Sequence, residues 1–211
     1  METQNVFIVL RRKKFFMDAK SKIIETAILM FTKYGIRNVT MDSIAAELMI
    51  SKRTLYKHFK NKEDLLIKAI ETKQETEHEI CKTIIDNSDN IIDAIFKIEK
   101  RRRTEIEKIN PIFFEDLEKM YSSILLKSIK TKNPELTLSL LERGVKENLI
   151  KKEINLEILT AFIYKIITIL NDEVFKKFKK EEIKTSIFMP FFDGITTKKG
   201  KLIIQKNINN L

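Results

Sequence analysis

Between Val39 and Lys60 the sequence reads VTMDSIAAELMISKRTLYKHFK, and its second half concentrates the residue types that can do chemistry. Lys52, Arg53, Thr54, Tyr56, Lys57 and His58 are cations and hydrogen-bond donors in near succession, while Asp42 and Glu47 are the only acids of the stretch. Arginine can pair bidentately with guanine, and threonine and tyrosine can reach bases or phosphates. Lysine brings a point charge to a phosphate backbone. The chemistry in view is recognition of a polyanion, and on a helix it becomes groove reading. Ingredients for covalent or metal chemistry are scarce. Cys81 is the only cysteine, which leaves no disulfide framework and no cysteine metal cluster. His58 and His78 fall on different predicted helices, and the glycines are isolated, so there is neither a histidine site nor a phosphate-cradling loop. Glu115 and Asp116 are adjacent on a predicted helix and point apart, so they make no acid–base pair. These absences argue against an enzyme, and no metal or cofactor is expected.

The elements that must position the reactive face are legible around it. Thr40 is an N-cap, and Met41, Ile44, Ala45 and Leu48 recur at helical spacing. Ser51 caps a second helix over Lys52 to Lys60, with Leu55 and Phe59 pointing inward one turn apart. A preceding helix buries Ile24, Ala27, Ile28 and Phe31, with Asp18 as its cap and Gly35 as its stop. Asn61 opens a further helix with Glu63 and Asp64 in its first turn.

The rest of the chain predicts helices throughout. With 211 residues, Gly 4, Pro 3 and abundant Lys, Glu, Ile and Leu, an all-α fold of about nine helices is expected. Turn formers at Asp86 to Asp89, Asn110-Pro111, Asn133-Pro134 and Asn155 separate the later helices. Leu156 to Leu170 is apolar on nearly every side and reads as buried on more than one face. A last helix over Glu181 to Asp193 carries Pro190, expected to kink or shorten it. The segment after Gly194 reads as a short basic tail. Residues 1–17 read as a flexible basic extension, and the domains expected are 18–78 and 79–211.

The net charge of +10 is unevenly placed: residues 1–70 hold 14 Lys+Arg against 7 Asp+Glu, and the remainder 26 against 23. The basic excess thus gathers in the third that holds the reactive helix, in keeping with a nucleic-acid partner. A basic helical protein that binds membrane surfaces or partner helices without sequence selectivity is the alternative. No apolar run reaches membrane-spanning length, and the order of apolar and basic residues at 6–14 is wrong for a secretory signal, so a cytoplasmic protein is expected.

The spacing Ile24-x-x-Ala27-x-x-x-Phe31-x-x-x-Gly35, then Val39-Thr40-Met41-x-x-Ile44-Ala45, then Ser51-Lys52-x-Thr54-Leu55-Tyr56-x-His58-Phe59-x-Asn61-Lys62-Glu63-Asp64-Leu65-Leu66 resembles the DNA-binding domain of the TetR family of bacterial transcriptional regulators. The resemblance covers about residues 18–78. It departs from the usual pattern at Met49, where the turn commonly carries glycine, and at Arg53, where a small residue is common. It implies a sequence-specific regulator, a repressor by family habit, released from a palindromic operator on double-stranded DNA by a small-molecule effector of unknown class. Carried over by position, Thr40, Met41 and Ser51 start the two helices at the DNA. Lys52, Arg53 and Thr54 face base edges, Tyr56, Lys57 and His58 clamp the backbone, and Lys62 adds a phosphate contact. A homodimer is implied through Leu159, Phe162, Ile163, Ile166, Ile167 and Leu170 on one helix and Ile183, Ile187, Phe188, Phe191 and Phe192 on the next. An effector pocket would draw on Phe96, Phe113, Phe114, Tyr121 and Phe162, with Arg101-Arg102-Arg103 as a place for an anionic effector.

Overall fold

Residues 18–122, 134–169 and 173–208 are described by the computed structural model. They form helices and no strand; a single antiparallel bridge joins Ile150 and Thr196. The all-α expectation holds. Residues 1–17, the expected basic extension, lie outside the described residues, as does Leu170.

Helix α1 (Ala19–Tyr34) begins where Asp18 accepts the Ser21 N–H at 2.8 Å. That bond favours the charged carboxylate and holds it below its ordinary pKa of 3.8. Ile23, Ile24, Ala27 and Phe31 form its buried face. The helix ends at Gly35, whose φ of 84° and ψ of 153° suit glycine alone, with its N–H returned to the Phe31 carbonyl. Helices α2 (Met41–Glu47), α3 (Lys52–His58), α4 (Lys62–Asp86), α5 (Ile91–Glu107) and α6 (Pro111–Met120) follow.

The chain divides into two compact units, the first drawn from Met1–Ile80 and Thr104–Thr131, the second from Cys81–Arg103 and Lys132–Leu211. In the first, Phe31, Ile36, Ile44, Leu55, Leu65 and Leu66 are sealed from solvent. Each such side chain contributes about 1.5–3 kcal/mol by burial. Phe113 and Leu117 of α6 complete this core, so it draws on residues well beyond 78. Asn110 caps α6, and it fixes the helix to the end of α1: its N–H donates to the Thr32 carbonyl at 2.8 Å and its amide to that of Lys33 at 3.1 Å. Asp116, itself buried, accepts the Arg37 N–H at 2.8 Å.

The second unit holds α7 (Pro134–Lys146), α8 (Leu156–Ile169), α9 (Glu173–Lys176), α10 (Lys180–Ile183), α11 (Met189–Ile195) and α12 (Lys198–Ile208). Its core is Ile91, Ile92, Leu141, Leu149, Ile150 and Leu159. Arg143 donates to the carbonyls of Ile85 and Ser88, and Glu147 accepts the Ile91 N–H at 2.8 Å. An ion pair between Arg143 of α7 and Glu147 just past its end therefore holds backbone groups where α4 ends and α5 begins.

Two local outcomes differ from expectation. Ahead of Pro190 the helix neither breaks nor simply kinks; it widens into a π turn over Lys184–Phe188, closed by Met189 N–H to the Lys184 carbonyl. Proline offers no N–H and crowds the carbonyl four residues back, and a wider turn accommodates both facts. The segment after Gly194, expected as a tail, folds as α12. Thr197 caps it by accepting the Gly200 N–H at 3.1 Å, and its own N–H donates to the Leu149 carbonyl at 3.0 Å. A Cβ at Gly200 would lie 2.4 Å from that carbonyl oxygen, so α12 seats closely because the residue is glycine.

Candidate nucleic-acid interface

The α2–α3 pair is built by local hydrogen bonds. Thr40 accepts the Ser43 N–H at 3.0 Å and Ser43 Oγ accepts the Thr40 N–H at 2.9 Å, a reciprocal cap that starts α2. The helix ends in a Schellman turn: Met49 N–H bonds to the Ala46 carbonyl and Ile50 N–H to that of Ala45, both at 3.0 Å. Met49 occupies the left-handed position, at φ 53°, with its side chain 92% exposed. The missing glycine noted in the sequence therefore leaves a methionine in a glycine conformation. Ser51 then caps α3, accepting the Thr54 N–H at 3.0 Å.

This turn sets the faces of α3. Leu55 and Phe59 are buried in the first core, while Arg53, Tyr56, Lys57 and His58 stand exposed. Lys57 and His58 occupy the last turn, where the helix dipole favours cations. The remaining expected contacts sort differently. Thr40 is exposed, with its hydroxyl oxygen engaged in the cap. Ser51 and Thr54 hydrogen-bond each other through their hydroxyls at 2.8 Å. Lys52 is exposed, and its ammonium pairs with the Asp42 carboxylate.

Two residues expected at the DNA turn inward. Met41 is 7% exposed and packs in the first core, because the first position of α2 faces that core. Lys62, expected on phosphate, donates its Nζ to the carbonyls of Ile36 and Val39, both at 2.9 Å. Those carbonyls belong to the loop between α1 and α2 and have no helical partner, so the ammonium serves the loop. Burial pulls Lys62 below its ordinary pKa of 10.5, partly opposed by the charge of Asp116. The loop is thus held from two sides, by Lys62 and by Asp116 on the Arg37 N–H. Sequence reading missed Asp116, 79 positions from Arg37, and no short-range signal could have found it. It also missed the role of Asp42, although that acid stands out among cations.

A family model described as "Bacterial regulatory proteins, tetR family" matches residues 23–69, which run from α1 through the first turns of α4. Over this segment the chain is similar to the TetR family of regulators. Among similar curated sequences, the uncharacterized HTH-type transcriptional regulator YhgD of Bacillus subtilis is 34% identical over 107 residues, covering 48% of this chain and 55% of that protein. The negative transcriptional regulator IcaR of the biofilm operon icaADBC in Staphylococcus epidermidis is 40% identical over 52 residues, covering 25% and 28%. The chain therefore spans at most about half the length of these relatives. A solved transcriptional regulator from Cytophaga hutchinsonii shares the fold over 83% of this chain and 97% of its own, with a TM-score of 0.59 at 19% identity.

Beyond the TetR-type head, the residues expected to join two copies divide by direction. Leu159 is buried in the second core, and Ile163 and Phe191 are half-buried against it. Phe162 is 46% exposed, with its ring 5.4 Å from that of Phe191. Ile166, Ile183, Ile187, Phe188 and Phe192 are half-buried, and the side chain of Ile167 lies outside the description. The exposed apolar stripe of α8 is instead Ile158, Phe162 and Ile169, spaced to share one helical face.

The aromatic set expected around an effector falls into separate cores. Phe113 is buried in the first, Tyr121 packs against it, and Phe114 is exposed with an edge-on contact to Phe113. Phe96 packs against the second core. Of the arginine run, Arg102 is held bidentately by Glu99 on its own helix. No helix among the described residues is long and apolar enough to cross a membrane.

Proposed function

We propose that this chain is a sequence-selective, double-stranded DNA-binding transcriptional regulator that acts as a homodimer on a palindromic operator in the cytoplasm. One observation carries the reading: Leu55 of α3 and Phe59 at its end are buried in the first core while Arg53, Tyr56, Lys57 and His58 of the same helix stand exposed. A helix supported in that way can enter a major groove without rearranging. Arg53 is the base reader, with Tyr56, Lys57 and His58 on the backbone and Thr40 beside them.

A single α3 sees only a few base pairs, so two copies related by a dyad are needed for a useful site. The exposed stripe Ile158, Phe162 and Ile169 supports that pairing, since a monomer gains nothing by wetting it. Residues 18–78 form the reading head in this scheme and 79–211 the pairing region, with α6 as the piece of the later sequence that completes the head. Repression is the direction proposed, since the relative IcaR is named a negative regulator. Release by a small-molecule effector enters only through the resemblance to TetR regulators; the five aromatics do not themselves support a common pocket.

The test is selection of bound fragments from genomic DNA by the purified protein, followed by Arg53→Ala on the recovered site. A palindromic motif is expected, with Arg53→Ala relaxing preference at one position in each half and costing roughly 1–3 kcal/mol per protomer. Recovery without any motif, or binding to lipid vesicles in place of DNA, would overturn the reading.

A further inference from the structure

Asp42 is an acid on the surface assigned to DNA. It lies in the first turn of α2, and its carboxylate meets the ammonium of Lys52, the first residue of α3. Both side chains are more than half exposed, at 57% and 65%. An exposed pair of this kind adds only about 0–1 kcal/mol to folding. Its weight therefore falls on binding.

A phosphate oxygen and the Asp42 carboxylate ask for the same thing, an accessible ammonium. Between the first turns of α2 and α3, Asp42 already takes that ammonium. We propose that Asp42 is a built-in competitor for the DNA backbone, holding Lys52 away from phosphate and so lowering the sequence-independent part of duplex affinity. The proposal rests on the DNA-reading function above. It assigns Lys52 a role set by its neighbour. While Asp42 is present, Lys52 adds little to the salt dependence of binding; without Asp42 it becomes one more phosphate contact. Because backbone contacts carry no sequence information, the restraint acts on operator and non-operator DNA alike.

The experiment measures affinity of the full chain for a fluorescent mixed-sequence duplex across a salt series. The proteins compared are wild type, Asp42→Asn, Lys52→Gln and the double variant, with helical content checked by circular dichroism. Asp42→Asn should bind roughly three- to tenfold more tightly at low salt, with a log–log salt slope steeper by about 0.9. Lys52→Gln alone should leave the slope nearly unchanged, and in the Asp42→Asn background it should return the slope towards wild type. An Asp42→Asn protein that binds no better than wild type overturns the proposal. So does a Lys52→Gln single variant whose slope is shallower by about 0.9, and that arm decides the matter even if Asp42→Asn does not fold. Wild type without salt-dependent affinity for any duplex would remove the DNA-reading function and this proposal together.

Discussion

Replacing Lys62 by methionine separates two roles that its position in the chain leaves equally open. If the ammonium serves the α1–α2 loop, its loss removes a charged donor at 2.9 Å from each of the Ile36 and Val39 carbonyls, leaving Ile36 only a 3.4 Å bond from the Val39 N–H. Hydrogen bonds to a charged group contribute about 1.5–3 kcal/mol each, and the half-exposed setting favours the lower end. The methionine stem keeps part of the apolar contact, so a net loss of about 2 kcal/mol is expected. With a urea slope of about 2 kcal/mol per molar, the midpoint falls by about 1 M. The chain has no tryptophan, and three of its tyrosines, Tyr34, Tyr56 and Tyr121, belong to the first unit, so tyrosine fluorescence follows the relevant transition. The sign of the pH dependence is also fixed. Burial lowers Lys62 in the folded state, so between the folded value and 10.5 the unfolded chain binds more protons. Wild-type stability should therefore rise relative to Lys62→Met as pH climbs through that window, with no such trend near neutrality, where both states are charged. A variant that melts with wild type but loses duplex affinity, with a salt slope shallower by about 0.9, would refute this and return Lys62 to phosphate.

Three further outcomes are expected. Gly35→Ala forces φ 84° on a residue with a side chain and brings its Cβ to 2.6 Å from Ile112 Cγ2, so a loss of about 3 kcal/mol should appear in thermal melts; a loss under about 1 kcal/mol would mean the loop yields easily. Met49→Gly removes about 1–2 kcal/mol of left-handed strain while adding about 0.4–1 kcal/mol of unfolded-state entropy, for a net stability gain of about 0.5–1 kcal/mol read as a higher urea midpoint; a lower midpoint would contradict the strain argument. Phe162→Asp should give folded monomers by sedimentation, while Leu159→Asp should unfold the second unit; a dimeric Phe162→Asp would exclude the α8 stripe from the interface.

What could be read from the sequence follows how local the physics is. The caps at Asp18, Thr40 and Ser51 and the inward pair Leu55 and Phe59 depend on residues within one turn, and they stand where spacing placed them. The left-handed cost at Met49 was legible only through the family resemblance, in which glycine commonly holds that position. Lys62 was not, because an outward and an inward lysine have the same local signature, and the loop that claims it lies more than twenty residues earlier. On α8, apolar residues on nearly every side hide which of them face inward; the core selects Leu159 and leaves Ile158 wet. Helix α12 escaped because lysines and a third-position glycine mask its pattern, while the contact that seats it, Gly200 on Leu149, joins distant segments.

The wide turn over Lys184–Phe188 also bears on how the length of this segment can change. Elsewhere in a helix, removing one residue rotates every later side chain by about 100° relative to what precedes it. A π turn holds one residue more than an α turn, so a deletion inside it can be absorbed by reverting to α geometry, leaving Phe191, Phe192 and Ile195 on the face they now occupy. Pro190 forbids that reversion, since an ordinary turn would drive its ring against a carbonyl at a cost of about 3 kcal/mol. Deletion and proline replacement are therefore coupled changes: either alone is costly or idle, and together they shorten the chain without re-phasing the helix.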